Sequence, residues 1–397
     1  MPGADTIAGA LPCEARPGGK LWEECRDVLR ELVQMDTCQP LGNEATIADT
    51  ICGMLPDYVT VRRLEHGSGR PSLVACVEGR SPSGGMAFAG HMDTVSCGSH
   101  DDWSYPPHEA HIEGDVLYGR GAADMKGGDA ALLVALQRLT ADGFVPERTI
   151  TVCFTADEEA DGIGAKAVAA DGSLDGARGI VICEPTSRRI GVCEKGALWL
   201  SIDAEGTSSH ASHPELGANA VEACVVLAMR LHGIAGEVTP DSLLGKPTVA
   251  ITEITGGTAT NIVPARAHMT ADIRTVPGMA HDALIQAVCE AAYAVEGEIP
   301  GVKFRVSVTN DRPAVGTACD NPFVQFCSRA VERQGLSSVP CGIYCYTDAS
   351  QFIPATGAPF VIMGPGDIEQ MHCVDEHVSI SEVARYALLY EDLMRQS

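Results

Sequence analysis

Apolar, strand-like runs in this chain repeatedly break off at a histidine or an acid. Met86–Ala89 leads into Gly90-His91-Met92-Asp93, Thr149–Phe154 into Asp157-Glu158-Glu159, and Gly179–Cys183 into Glu184-Pro185. Asp124, inside the glycine-rich run from Gly119 to Gly128, and His372 complete five such clusters. Between the runs lie stretches with helical apolar spacing, at residues 21–34, from about Glu44 to Leu55, at 125–139 and at Ile163–Ala170. Tyr58–Leu64 and Ser72–Val77 read as further strands. Strands alternating with helices predict an α/β fold, a mixed sheet with helices covering its faces. In such sheets sites gather beyond the carboxyl ends of the strands, where these clusters would converge.

The middle of the chain has a different rhythm. Strand-like Leu198–Ala204 is followed by helical Asn219–Leu231, strands at Thr248–Ile254 and Ala267–Ile273, a helix at His281–Ala294 and a strand at Lys303–Val308. This β-α-β-β-α-β order is that of a ferredoxin-like α+β module. With 397 residues the chain exceeds one ordinary core. The expected organisation is a discontinuous metal-binding domain at residues 1–195 and 311–397, with the ferredoxin-like domain inserted at 196–310. The α/β character resumes near Asn321.

Lys and Arg number 28 against 53 Asp and Glu, a formal net charge of −25. So acidic a surface repels phosphate backbones and anionic membranes, which argues against nucleic-acid and membrane partners. No stretch approaches the roughly 20 uninterrupted apolar residues of a membrane helix. Met1–Lys20 lacks an apolar run long enough for a signal peptide, so a soluble, cytoplasmic protein is expected. An anionic substrate would need a local cation. The sixteen cysteines read as reduced thiols packed as small hydrophobes, as at Cys76 and Cys153. Cys341 and Cys345 suggest a metal clip, but no second pair with zinc-ribbon spacing accompanies them.

Two imidazoles and several carboxylates are the ligand set of zinc or another borderline divalent metal. Each cluster alone also has an ordinary reading as a cap or turn. Asp157-Glu158-Glu159 would suit a helix N-terminus, where the dipole favours acids. The recurrence at strand ends favours a metal centre. His100, His108 and His111 stand beside Asp101-Asp102-Trp103 and Pro106-Pro107, the composition of a surface loop. Ser96 and Ser350 lack the partners of a nucleophile elbow, and Gly119-Arg120-Gly121 lacks the rest of a dinucleotide fingerprint.

These segments, with Met35-Asp36-Thr37, Gly42-Asn43-Glu44, Gly364-Pro365-Gly366 and Met371-His372-Cys373-Val374-Asp375-Glu376, resemble the zinc aminoacylase and carboxypeptidase family in residue type and order. That family includes acetylornithine deacetylase, succinyl-diaminopimelate desuccinylase and glutamate carboxypeptidase. The resemblance covers nearly the whole chain and implies a zinc-hydrolase catalytic domain with an inserted lid or dimerisation domain. It implies two Zn2+ per subunit, with Co2+ or Mn2+ able to substitute. His91 and Glu184 would hold one ion, Glu159 and His372 the other, and Asp124 would bridge them. Asp93 would accept a hydrogen bond from the far nitrogen of His91 and fix its tautomer. The Asp124-Met125 peptide would be cis. Glu158 would take a proton from the metal-bridging water and pass it to the leaving amine.

In Gly206-Thr207-Ser208-Ser209-His210, the resemblance implies that His210 reaches the partner subunit's active site across a homodimer and stabilises the oxyanion. His213 reads as a loop residue. Asn261 and Arg274 would contact the substrate, Arg274 through a bidentate fork suited to a carboxylate. The local alternative for Arg274 is a salt bridge to Asp272 or another nearby acid. Gly364 is placed with the substrate-binding residues, and Tyr344–Gln351 resembles a substrate-loop segment. The implied activity is release of an amino acid from an N-acyl amino acid, a small carboxylate-bearing amide, with the bridging hydroxide as nucleophile. A metallo-dipeptidase or carboxypeptidase would use the same chemistry on a peptide bond. A catalytically silent binding member of the fold would show a degraded ligand set, and here all five ligands and the base are present.

Overall fold

In the computed structural model, which describes residues 11–66, 69–82, 84–141, 143–236 and 238–397, the apolar runs do form strands. The part of Met1–Lys20 at residues 1–10 lies outside the described residues. A nine-stranded sheet runs in the order Thr60–Leu64, Ser72–Val77, Ile150–Thr155, Met86–His91, Gly179–Pro185, Phe360–Gly364, Ile190–Glu194, Val315–Gly316, with Pro340–Ile343 beside Ile190–Glu194. The four strands from Ile150–Thr155 to Phe360–Gly364 are parallel, so their carboxyl ends share one edge. Ser72–Val77 and Thr60–Leu64 add antiparallel pairs on one side, which makes the sheet mixed.

Met86–His91, Ile150–Thr155 and Gly179–Pro185 are buried at every position, as strands with helices on both faces must be. Helices Lys20–Val33, Lys126–Ala141 and Ile380–Arg395 pack against one another, and Ile163–Asp171 packs against Ala349–Thr356. Lys20–Val33 turns Leu21, Cys25, Leu29 and Leu32 inward at helical spacing. Asn321, where α/β character was expected to resume, caps helix Pro322–Arg333 by accepting the Phe323 N–H at 2.8 Å.

The chain divides into two units, Met1–Cys193 with Gly316–Cys341 and Thr347–Ser397, and Glu194–Val315 with Gly342–Tyr346. The second is wider than residues 196–310 and takes Gly342–Tyr346 from the stretch expected in the first. Local contacts explain this: the Lys195 N–H donates to the Ile343 carbonyl at 3.0 Å, and the Tyr346 ring meets Trp199.

Within the second unit an antiparallel sheet runs Thr248–Gly256, Arg266–Thr275, Gly196–Glu205, Lys303–Arg312, joined by helices Ala220–Ile234 and His281–Glu298 in the ferredoxin-like order. Leu198, Leu200, Ile202 and Ala204 point inward while Ser201 and Asp203 alternate outward. This period of two marks a sheet with helices on one face only. Leu227 and Val288, one from each helix, complete its core.

The surface-loop expectation holds for His100, exposed in a short 3-10 turn, and is corrected at His111, which lies in a strand. His111–Glu113 and Val116–Tyr118 form a hairpin closed at Gly114-Asp115, with Gly114 at φ 62°, and His377–Ser379 adds a third strand. Trp103 is buried, with its Nε1 donating to the Cys97 carbonyl at 2.9 Å.

Candidate metal centre

The shared carboxyl edge draws the clusters together. His91 is the last residue of its strand and Glu184 the next to last of its own, so register fixes both. Glu158 and Glu159 follow Ile150–Thr155, Asp124 immediately precedes the turn into helix Lys126–Ala141, and His372 follows Phe360–Gly364. His91 Nε2 lies 3.1 Å from Asp124 Oδ1 and 3.3 Å from Glu184 Oε1. His372 Nε2 lies 3.3 Å from Asp124 Oδ2 and 3.1 Å from Glu159 Oε2. Asp124 thus presents each carboxylate oxygen to a different imidazole, and each imidazole has its own glutamate. The two sides differ in exposure: the His91 side chain is 2% exposed and that of His372 52%. The Asp124-Met125 peptide is cis, as the resemblance implied.

The supports of this cluster differ in part from expectation. His91 Nδ1 meets the main-chain carbonyl of Asp93 at 2.9 Å, while the Asp93 carboxylate stands 3.8 Å away. The carbonyl, not the carboxylate, therefore places the proton on Nδ1 and turns the Nε2 lone pair inward. The Asp93 carboxylate instead accepts the N–H groups of Glu158 at 3.0 Å and Glu159 at 3.2 Å, and the Gln39 amide at 2.6 Å. A buried carboxylate has acceptor sites to fill, and this turn leaves its amides without strand partners. Asp157, at φ 67°, carries the capping role weighed for the whole triplet. It accepts the N–H groups of Asp161 and Ile163 and pairs with Arg70 at 2.6 Å.

Glu376 is a residue that pattern reading passes over. Its buried carboxylate accepts the N–H groups of Gly121 at 3.0 Å and of Ala123 and Asp124 at 2.9 Å, and pairs with Arg120 at 2.7 Å. It therefore sets the loop that aims Asp124. In the sequence it is only the end of the His372 run, and nothing local couples it to amides some 250 residues earlier.

The electrostatics of the cluster call for cations. Burial, then the charge of Asp124, pushes Glu159 up to about 7 and Glu184 up to about 8. Burial pushes Glu158 well above the usual carboxylate range. Burial opposes protonation of His91, yet Glu184 and Asp124 raise it well above an ordinary histidine. Hydrogen bonds to Asp124 and Glu159 hold His372 up at about 11. Glu159 Oε1 and Glu184 Oε2 are buried without a hydrogen-bond partner. Acids this close can all ionise only beside compensating positive charge. A divalent ion on each side of Asp124 would supply it, and nitrogen and oxygen donors of this kind suit zinc, cobalt or manganese.

His210 is exposed in the second unit, its Nδ1 2.7 Å from Ser212 Oγ, and its segment bridges to Ile262. Asn261 is exposed and its carbonyl accepts the Ala211 N–H at 2.9 Å. Arg274 is engaged by Asp272, with Nε to Oδ1 at 2.9 Å and Nη2 to Oδ2 at 3.1 Å, so the local salt bridge is formed. A Cβ on Gly364 would lie 2.0 Å from the Cys183 carbonyl, so glycine lets its strand approach the one that carries Glu184. His111 stacks on Tyr105 at 3.7 Å, and His108 lies beside Cys38 and Cys97. None of the cysteines is disulfide-bonded; Cys153 is buried and Cys76 half-buried.

The profile of the peptidase family M20/M25/M40 matches residues 87–396, which include His91, Asp124, Glu159, Glu184 and His372. A probable succinyl-diaminopimelate desuccinylase of Staphylococcus epidermidis is 28% identical over 399 residues, covering 93% of this chain and 96% of that protein. An acetylornithine deacetylase of Aliivibrio fischeri is 29% identical over 375 residues, covering 91% and 89%. The solved structure of a tripeptidase from Staphylococcus aureus matches with a TM-score of 0.77 at 22% identity, covering 94% and 98%.

Proposed function

Because this chain belongs to the peptidase family M20/M25/M40 and is a hydrolase of amide bonds, we propose that it releases an amino acid from a small N-acyl amino acid, using two Zn2+ held astride Asp124. The observation that carries this reading is the division of Asp124, one oxygen 3.1 Å from His91 and the other 3.3 Å from His372. When bound, such a pair of ions acidifies a shared water toward a pKa of about 7 and polarises the amide carbonyl.

The protein supplies the proton traffic and the positioning. Glu158, whose proton affinity burial raises, takes a proton from the attacking water and returns it to the leaving amine. Asp93 fixes that glutamate through its main-chain N–H and, through its own carbonyl, the ring of His91. His210, steadied by Ser212, is assigned to the oxyanion, acting from the partner subunit of a homodimer. Asn261, Arg274 and Gly364 are assigned to the substrate, with Arg274 exchanging Asp272 for the substrate carboxylate. The enzyme is placed in the cytoplasm; no helix among the described residues is long and apolar enough to cross a membrane.

The names of the relatives at 28% and 29% identity favour acyl compounds over peptides. Amino-acid release from acetyl-, succinyl- and peptidyl-amino acids tests that preference. The deacylase reading predicts the highest kcat/KM among the acyl compounds. Faster turnover of dipeptides than of every acyl compound would replace it with a peptidase reading.

A further inference from the structure

A second set of metal-ligating side chains lies in the first unit, made of residues the proposed reaction does not use. Cys38 Sγ and Cys97 Sγ are 3.3 Å apart. His108 Nε2 is 3.4 Å from Cys97 Sγ and 3.8 Å from Cys38 Sγ, and Asp36 Oδ1 is 3.5 Å from the same nitrogen. Tetrahedral zinc, with bonds of about 2.3 Å to sulfur and about 2.0 Å to nitrogen or oxygen, sets ligand-to-ligand separations of roughly 3.3–3.8 Å. The two sulfur–nitrogen distances suit such a pair, and the 3.3 Å between the sulfurs, short of the roughly 3.8 Å of two thiolates on one zinc, would open slightly around an ion.

The surroundings orient these side chains independently. His108 Nδ1 faces the Val33 carbonyl at 3.4 Å, which turns the Nε2 lone pair toward the sulfurs, as in metal-bound histidines. Main-chain bonds fix the Cys38 loop to the loop that leads to Cys97: the Gln39 N–H donates to the Thr94 carbonyl at 2.8 Å, and the Thr94 N–H to the Thr37 carbonyl at 3.1 Å. Thr94 Oγ1 points at Cys38 Sγ at 3.5 Å. The hydrogen bond with Cys97, aided by His108, pulls the Cys38 thiol below its ordinary range. Cys97 is buried while Cys38 and His108 are half-buried, which leaves an ion a way in.

We propose that Cys38, Cys97 and His108 form a separate three-residue binding site for a borderline or soft divalent cation such as Zn2+, with the fourth position open to solvent. Binding breaks the thiol S–H bonds, forms two metal–sulfur bonds and releases the protons to solvent, with no change of oxidation state. Gln39, next to Cys38, donates to the carboxylate that holds the Glu158 and Glu159 amides. An ion here therefore staples the loop behind the catalytic turn without touching the substrate.

Cobalt distinguishes the two kinds of site. Thiolate ligands give an intense sulfur-to-cobalt charge-transfer band in the near ultraviolet, and the nitrogen and oxygen donors around Asp124 do not. The band is expected in Co2+-loaded wild-type protein and in His91→Ala, and it should be lost in Cys38→Ser and Cys97→Ser. In wild-type protein, whatever the folding of the variants, Zn2+ should block alkylation of Cys38 and Cys97 and a chelator should restore it. Absence of both band and protection in the wild type would overturn the proposal, as would a band that survives both serine substitutions. A Cys38–Cys97 disulfide in freshly purified protein that takes up no cobalt here would also overturn it, assigning the pair to redox chemistry.

Discussion

Glu158 and Glu159 are neighbours in one turn with different assignments, and the main chain separates them. Asp93 grips both amides, while Glu159 Oε2 reaches His372. If Glu158 moves the proton and Glu159 holds an ion, Glu158→Ala should lower kcat by roughly 10²–10⁴ and leave the zinc content unchanged. Atomic absorption beside steady-state kinetics checks both halves, and near-normal turnover would remove the assigned role. The same cluster makes a pH prediction for chelator-treated protein. Glu159 and Glu184 bind their protons more tightly folded, at about 7 and about 8, than at the ordinary 4.5. Their stabilising contribution is therefore complete below the ordinary value and is lost as pH rises through the folded ones. Asp124, lowered by His372 and His91 against its burial, has the opposite sign, but its window lies below 3.8. The melting temperature of the metal-free protein should fall between about pH 5 and about pH 9, a fall that zinc suppresses. A melting temperature that rose across that interval would contradict this account of the acids.

At the scale of elements, the loop from Gly119 to Asp124 owes its shape to one distant carboxylate. Glu376→Ala would strand Arg120 and three main-chain amides in a buried setting. Loss of about 3–5 kcal/mol is expected, since removing one partner leaves a buried charge uncompensated. Denaturant unfolding measures that loss, and a titration should show weaker zinc binding in the same variant. The elements themselves were largely legible, because burial leaves a mark on pattern. Continuous apolar runs such as Gly179–Cys183 became strands covered on both faces, and the alternation in Leu198–Ala204 became a strand covered on one. The five proposed ligands stood out for the same reason, since each lies at or near the end of a run or just before a helix, and the fold brings their side chains together. What stayed hidden depends on pairing between distant residues. The hairpin at His111 and Val116 needs the late strand His377–Ser379, Glu376 needs the amides of another loop, and His108 finds Cys38 only when the chain is folded. Asp93 was tied to the right histidine through the wrong atom, because spacing does not say whether a carbonyl or a carboxylate will be nearer.

For the whole molecule, the assignment of His210 to a partner subunit has a direct test. His210→Ala should lower kcat by roughly 10²–10³, the loss typical of one oxyanion donor. Mixed with Glu158→Ala protein, it should regain part of the activity, because some heterodimers then contain one intact constellation. Heterodimers shown to form without any recovery would place His210 in its own chain's reaction. The unequal exposure of the two imidazoles has a further consequence. His91, Asp124 and Glu184 arise within Met86–Pro185, and the His91 ring is sealed at 2% exposure. The opposite seat waits for His372, 213 residues beyond Glu159, on a ring 52% open to water. If an ion sits on each side of Asp124 as proposed, the one beside His372 should arrive last and depart first, so a gentle chelator should yield a singly loaded protein before a bare one.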